Sequence, residues 1–166
     1  MPIQVQATGQ TTDHPRRKSL IETVKTPHEA IFRALGLTDP TVSVLLTDDD
    51  EIRRLNRRWR DLDEPTDVLS FPAHPPEAIP EDPRHLGDIA ISVPYAQRLV
   101  ASGEHHRRVA DELGVDPDEL DWSIEDEVAF LFVHGLLHLV GYHHDDADSE
   151  RTMRTMERRL WELTAQ

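Results

Sequence analysis

Apolar Ile3, Val5 and Ala7 alternate with Gln4 and Gln6, and this period of two predicts a short strand. The remainder of residues 1–18 reads as irregular, with Gly9–Arg17 as loop. From Ser19 to Leu35 the apolar residues Leu20, Ile21, Val24, Ile31 and Leu35 recur at helical spacing, and Gly36 is a stop signal. Pro27 interrupts the stretch, so the helix is expected to start near Thr26 with Pro27 in its first turn. Thr41–Leu46 is apolar and rich in β-branched residues, a strand pattern. Thr47–Asp50 offers an N-cap and an acidic first turn for a helix over Asp50–Trp59. Short strands are expected at Val68–Phe71 and Gly87–Ser92, separated by the proline-rich loop Ala73–Leu86. A helix follows over Pro94–Ser102. The charged stretch 103–122 reads as a partly helical surface insertion. Ser123, followed by Glu125, Asp126 and Glu127, caps a long helix running to about Val140 and ending at Gly141. Asp148–Thr164 is a last amphipathic helix with Met153, Met156, Leu160 and Leu163 on one face. There is no internal repeat. Strands mixed with helices over short loops point to one α/β or α+β domain.

The length of 166 residues fits one domain and allows a real core. The longest apolar run, near Val128–Val140, is broken by His134, Gly135 and His138 and is too short to span a bilayer. Met1–Gln10 lacks the basic and apolar regions of a secretion signal, which makes the cytoplasm the expected location. The absence of cysteine excludes disulfides, thiolate metal sites and a cysteine nucleophile. A net charge of −14 argues against indiscriminate polyanion binding, so any nucleic-acid contact must concentrate positive charge locally.

Against that background the histidines between 134 and 144 stand out. His134 and His138 are four apart on a predicted helix, so both imidazoles share one face. Gly141 permits the left-handed turn that ends the helix and lets His144 return toward them. Three neutral imidazoles can hold a tetrahedral zinc and leave the fourth position for water. The spacing HxxxHxxGxxH is also that of a metzincin protease helix. Such proteases carry a glutamate base directly after the first histidine. Here Gly135 stands there and cannot take a proton, so a zinc metallopeptidase is the runner-up.

Arg53, Arg54, Arg57, Arg58 and Arg60 fall within eight residues. Arg53, Arg57 and Arg60 lie on one helical face, the one place in this acidic chain that favours phosphate. The competing reading is a solvated face paired with Asp48, Asp49, Asp50 and Glu51. Trp59 can fill the core or stack a base; core placement is the expectation.

These segments resemble the YbeY endoribonucleases, bacterial rRNA maturation factors. The family signature HGxLHLxGYDH is matched by HGLLHLVGYHH at His134–His144. LNxxYRxxxxPTDVLSFP is matched by LNRRWRDLDEPTDVLSFP at Leu55–Pro72, and LGDIAIS occupies Leu86–Ser92. The resemblance runs from about Val42 to Trp161. It implies an α+β fold over residues 1–166 as one domain, with a small mixed sheet of about four strands, about five helices and a zincin-like metal helix. It implies one zinc per chain on His134, His138 and His144, and a functional role for Arg60. It also implies cleavage of single-stranded RNA, maturation of the 16S rRNA 3′ end, quality control of the small ribosomal subunit, and assembly proteins as partners. A noncatalytic ribosome-assembly factor with structural zinc is a further alternative. Three departures from the family pattern stand out: His143 replaces an aspartate and is a rival ligand, Trp59 replaces a tyrosine, and Glu104–Asp121 is longer and more acidic. Asp67, Ser70 and Asp88 lie in the shared blocks, but each also has a plausible structural role in turns or at strand ends.

Overall fold

The computed structural model describes residues 3–26 and 28–164. Four strands, β1 (Ile3–Ala7), β2 (Thr41–Thr47), β3 (Val68–Pro72) and β4 (His85–Ser92), form one sheet in the order β1-β2-β4-β3. β1 and β4 run parallel to β2, and β3 runs antiparallel to β4. The sheet is therefore the expected small mixed one. Around it lie α1 (Arg17–Lys25), α2 (His28–Ala34), α3 (Asp49–Arg60), α4 (Val93–Ser102), α5 (Glu104–Leu113), α6 (Ile124–Leu139) and α7 (Ala147–Thr164).

Residue alternation decides the two faces. Ile3, Val42, Val44, Ile89 and Ile91 point to one side, where they pack on Val128, Leu131, Phe132 and Leu136 of α6 in the main core. The other face is covered in part by α3, where Ile52 packs on Leu69 and Ala90. β4 has helices on both sides, which is why its sequence is almost continuously buried instead of alternating.

α6 is the central helix and begins as the sequence predicts. Ser123 accepts from the Asp126 amide, and Asp126 accepts from the Ser123 amide, a capping box. α3 is capped by Asp48, whose carboxylate accepts from the amides of Glu51 at 3.0 Å and Gln10 at 2.9 Å. This one side chain thus starts the arginine helix and pins the N-terminal 3-10 turn Gly9–Asp13. Asp48→Ala is expected to lower unfolding free energy by about 1–2 kcal/mol, measured by urea titration, since both the cap and the pin are lost.

Three expectations are corrected. The stretch 19–35 is two helices. Leu20 and Val24 bury against the core and extend α1 from Arg17, well ahead of Thr26, which closes the helix in helical geometry with its amide bonded to the Glu22 carbonyl. Pro27 itself lies outside the described residues. Residues 3–18 fold largely into β1, the 3-10 turn and the start of α1. Residues 103–122 are partly helical and mostly at the surface, as expected, but they also reach the core. α5 buries Val109 and Ala110, and the His106 ring donates to the carbonyl of Leu120 at 2.6 Å while stacking on Trp122. The charge of this segment hid an apolar side made by Val109, Ala110, Leu113, Leu120 and Trp122.

Candidate metal centre

α6 carries His134 and His138 one turn apart, and their ring centroids are 4.8 Å apart. After Leu139 the chain closes a tight turn, in which Gly141 has φ +99° and the Tyr142 amide donates back to the Leu137 carbonyl at 3.0 Å. That left-handed residue returns the chain so that His144 lies 5.3 Å from His138, ring to ring. One nitrogen from each of His134, His138 and His144 lies within 4.8 Å of the others. His143 also lines the cleft, but its Nδ1 lies 3.4 Å from the exposed Asp145 carboxylate and it is not among the three clustered nitrogens. The rival ligand is therefore not part of the cluster.

The outer nitrogens of the two helical histidines are already committed. His134 Nδ1 donates to Glu157 Oε2 at 2.7 Å, and His138 Nδ1 donates to the Tyr142 carbonyl at 3.0 Å. In the neutral rings this leaves both Nε2 atoms bare, with lone pairs inward. The two Nε2 atoms are 3.2 Å apart. Two bare imidazole nitrogens so close repel each other unless a cation lies between them. Tetrahedral zinc with ordinary Zn–N bonds places its ligand nitrogens about 3.3 Å apart. The donor set fits a divalent ion of the zinc class. Burial, together with His134 and His144 beside it, pushes His138 down to about 4, so it stays an unprotonated donor at neutral pH.

The cluster opens into a cleft of about 740 Å³ lined by Arg60, Asp67, Ser70, Pro76 and the histidines. Arg60, the last residue of α3, is exposed and enters no ion pair among the described residues. The other two arginines of its stripe lie elsewhere. Arg53 is held by Asp63 through two hydrogen bonds of 2.8 and 3.2 Å, and Arg57 is exposed on the outer helix surface. Trp59 is not in the core. It is 61% exposed, edge-on to Phe71 at 6.3 Å, with the Arg58 guanidinium 5.1 Å from its ring centre. The side chain follows the α3 surface past the edge of its small apolar contact with the sheet. A second groove of about 1350 Å³ runs over the sheet face beside α3, lined by Trp59, Phe71 and Asp88, and shares Arg60, Ser70 and Pro72 with the cleft.

Gly135 faces the sheet, packed on β3 and β4 at the floor of the cleft. A β-carbon there would lie 3.0 Å from Ile89, 3.1 Å from the Ser70 hydroxyl and 3.2 Å from Val68. Ser70 donates to the Gly135 carbonyl at 2.9 Å, which gives this shared-block serine a packing role. The position a metallopeptidase needs for its base is thus aimed at β3 and β4. Gly135→Glu is expected to destabilise the protein by about 3 kcal/mol or more, by thermal or urea unfolding, and to confer no peptidase activity.

The sequence reading missed the residues behind the histidines. Glu157 of α7 is 2% exposed. Its burial raises its pKa, but the His134 hydrogen bond and the Arg108 charge outweigh this and hold the carboxyl below its usual range. Arg108 of α5 donates to Glu157 Oε1. Beside them Glu127, wholly buried, accepts from His105 Nδ1 at 2.5 Å and from the Trp122 indole at 3.1 Å. One signal was available: Glu157 interrupts the apolar stripe of Met153 and Leu160 at the very spacing that buries them.

Comparison with known proteins agrees with this geometry. A family model described as Endoribonuclease YbeY matches residues 4–164. The Endoribonuclease YbeY of Moorella thermoacetica is 38% identical over 156 residues, covering 90% of this chain and 89% of its own. That of Gloeobacter violaceus is 43% identical over 122 residues, covering 72% of this chain. The chain spans about half, 54%, of that relative's length. The solution structure of TM1509 from Thermotoga maritima aligns with a TM-score of 0.56 at 26% identity, over 98% of this chain and 88% of that one. With its mixed sheet, its histidine cluster and a match over almost its whole length, the chain belongs to the Endoribonuclease YbeY family.

Proposed function

We propose that this protein is a zinc-dependent endoribonuclease specific for single-stranded RNA, acting in the cytoplasm on the 3′ end of 16S rRNA and in quality control of the small ribosomal subunit. The observation that carries the reading is that His134, His138 and His144 open onto the same cleft as the unpaired Arg60. The three histidines would hold one zinc through the nitrogens left free by Glu157 and Tyr142. Zinc bound there supplies Lewis acidity toward a phosphoryl oxygen and a water acidified toward neutrality.

Arg60 is the catalytic residue of this scheme. Its guanidinium is permanently charged and planar, and it binds a phosphate oxygen pair where negative charge grows during in-line displacement. Arg57 and Arg53 extend the cationic surface along α3, Arg53 with its charge already shared with Asp63. The chain's charge of −14 makes this local surface the phosphate-binding route and favours basic assembly proteins as docking partners on the subunit.

The test uses end-labelled single-stranded RNA with the parent protein, the chelated protein and Arg60→Glu. The parent is expected to cleave, chelation to stop it, and Arg60→Glu to bind zinc normally while cleaving about 100- to 1,000-fold more slowly. Undiminished cleavage by Arg60→Glu would sink the clamp role, and cleavage that survives chelation would sink the zinc requirement. A 5′-phosphate product end identifies water as the nucleophile, and a 2′,3′-cyclic phosphate identifies the ribose hydroxyl.

No helix of the described residues is long and apolar enough to cross a membrane.

A further inference from the structure

Helix α5 reaches the metal centre through one side chain. Arg108 donates from its Nη2 to Oε1 of Glu157, whose other oxygen, Oε2, accepts from His134 Nδ1 at 2.7 Å. The chain of contacts runs from α5 through α7 to α6. Glu157 is buried, and Arg108 is its one arginine or lysine ion-pair partner among the described residues. Arg108 is fixed in turn. Its Nε donates to Glu112 at 3.3 Å, and its guanidinium lies 5.4 Å from the centre of the Phe130 ring.

A buried carboxylate needs partners for both oxygens. If Arg108 is removed, Oε1 is left without one, and the carboxylate gains by rotating toward whatever donor it can reach. Rotation takes Oε2 away from His134. The His134 ring then loses the acceptor that keeps its proton on Nδ1, and the proton exchanges to Nε2, the nitrogen that faces His138. A protonated Nε2 cannot ligate a metal.

We propose that Arg108 is a positioning residue of the metal centre: by fixing Glu157 it locks His134 in the tautomer and orientation that present Nε2 to the ion. The charged stretch that reads as an insertion in the sequence is thereby part of the metal-binding apparatus. The proposal rests on the reading of the three histidines as zinc ligands.

The experiment measures zinc affinity by chelator competition for the parent, Arg108→Met and Glu112→Gln. In the metal-free proteins it also reads the His134 tautomer from long-range 1H–15N imidazole spectra. Arg108→Met keeps the side-chain stem, so α5 packing is retained. It is expected to bind zinc about tenfold more weakly and to lose its pure Nδ1–H tautomer. Glu112→Gln removes only the neighbouring surface partner and is expected to match the parent in both. Parent-like affinity and tautomer in folded Arg108→Met overturn the proposal, as does an equal loss in Glu112→Gln, which reports helix anchoring alone. Should Arg108→Met not fold, the parent decides. Resolved, slowly rotating Arg108 guanidinium protons support the lock, and a freely rotating guanidinium overturns it. A parent that binds no zinc but shows the locked tautomer defeats the metal reading and leaves the Arg108 contact standing. A parent that binds zinc while Arg108→Met binds equally defeats only this inference.

Discussion

His138→Ala is expected to lose zinc affinity by at least about 100-fold and RNA cleavage by about 1,000-fold or more. His138 is the middle ring of the cluster, 4.8 Å from His134 and 5.3 Å from His144 by ring centres. Loss of an outer hydrogen-bond partner alone costs about 10- to 100-fold in metal affinity, and a direct ligand costs more. The Lewis acid contributes several kcal/mol, and each ~1.4 kcal/mol is tenfold in rate. Stability separates this effect from simple unfolding. Alanine removes the His138 bond to the Tyr142 carbonyl, worth about 1 kcal/mol. The metal-free variant should therefore unfold within about 1 kcal/mol of the metal-free parent, while the parent alone gains stability from added zinc. Differential scanning fluorimetry with and without zinc, beside the RNA assay, measures both. Equal cleavage by parent and variant would trace the nuclease to a contaminant.

The parts of this protein legible in its sequence are those set by local rules. The capping box at Ser123, the turn at Gly141 and the i, i+4 histidine pair are each decided within a few residues, and the structure has all of them. β1 and β2 were legible because one face of each meets the core, and β4 because apolar residues fill most of it. What was not legible depends on which distant surface a residue meets. Trp59 carries the signal of a core residue, yet α3 covers only part of its sheet face and leaves the ring at the edge. His105 and Glu127 are 22 residues apart and pair only because α5 folds back on α6. Glu157 is a partial case: the charge inside an apolar stripe was visible, but its partners Arg108 and His134 come from two other helices. Gly135 is the instructive one. The sequence shows that a base is missing, and the structure adds the reason for a glycine, since α6 lies against β3 and β4 there with no room for more.

Acid is expected to destabilise the metal-free protein over a defined window. His138 in the folded protein takes its proton only at about 4, against 6.5 for an ordinary histidine. The unfolded chain binds that proton first as pH falls, so stability from this group is full above pH 6.5 and declines toward 4. Of the buried groups near the cluster, His105 and Glu157 act in the same range or near it. His105 is desolvated by burial, but its bond to Glu127 and the charges of Glu127, Asp67 and Glu104 together outweigh this and raise its pKa, so its contribution is present below 6.5 and is lost as pH rises through its folded value. Glu157 is held below the ordinary 4.5, so its contribution falls away only in stronger acid. Urea unfolding of metal-free parent and His138→Ala between pH 7.5 and 4.5 separates them, because His105 and Glu157 are common to both. The parent should lose stability relative to the variant as pH falls from 6.5, and a constant difference across the range would mean that His138 titrates normally. Added zinc should suppress the parent's decline at the upper end of the window, because the ion and the proton compete for the same Nε2.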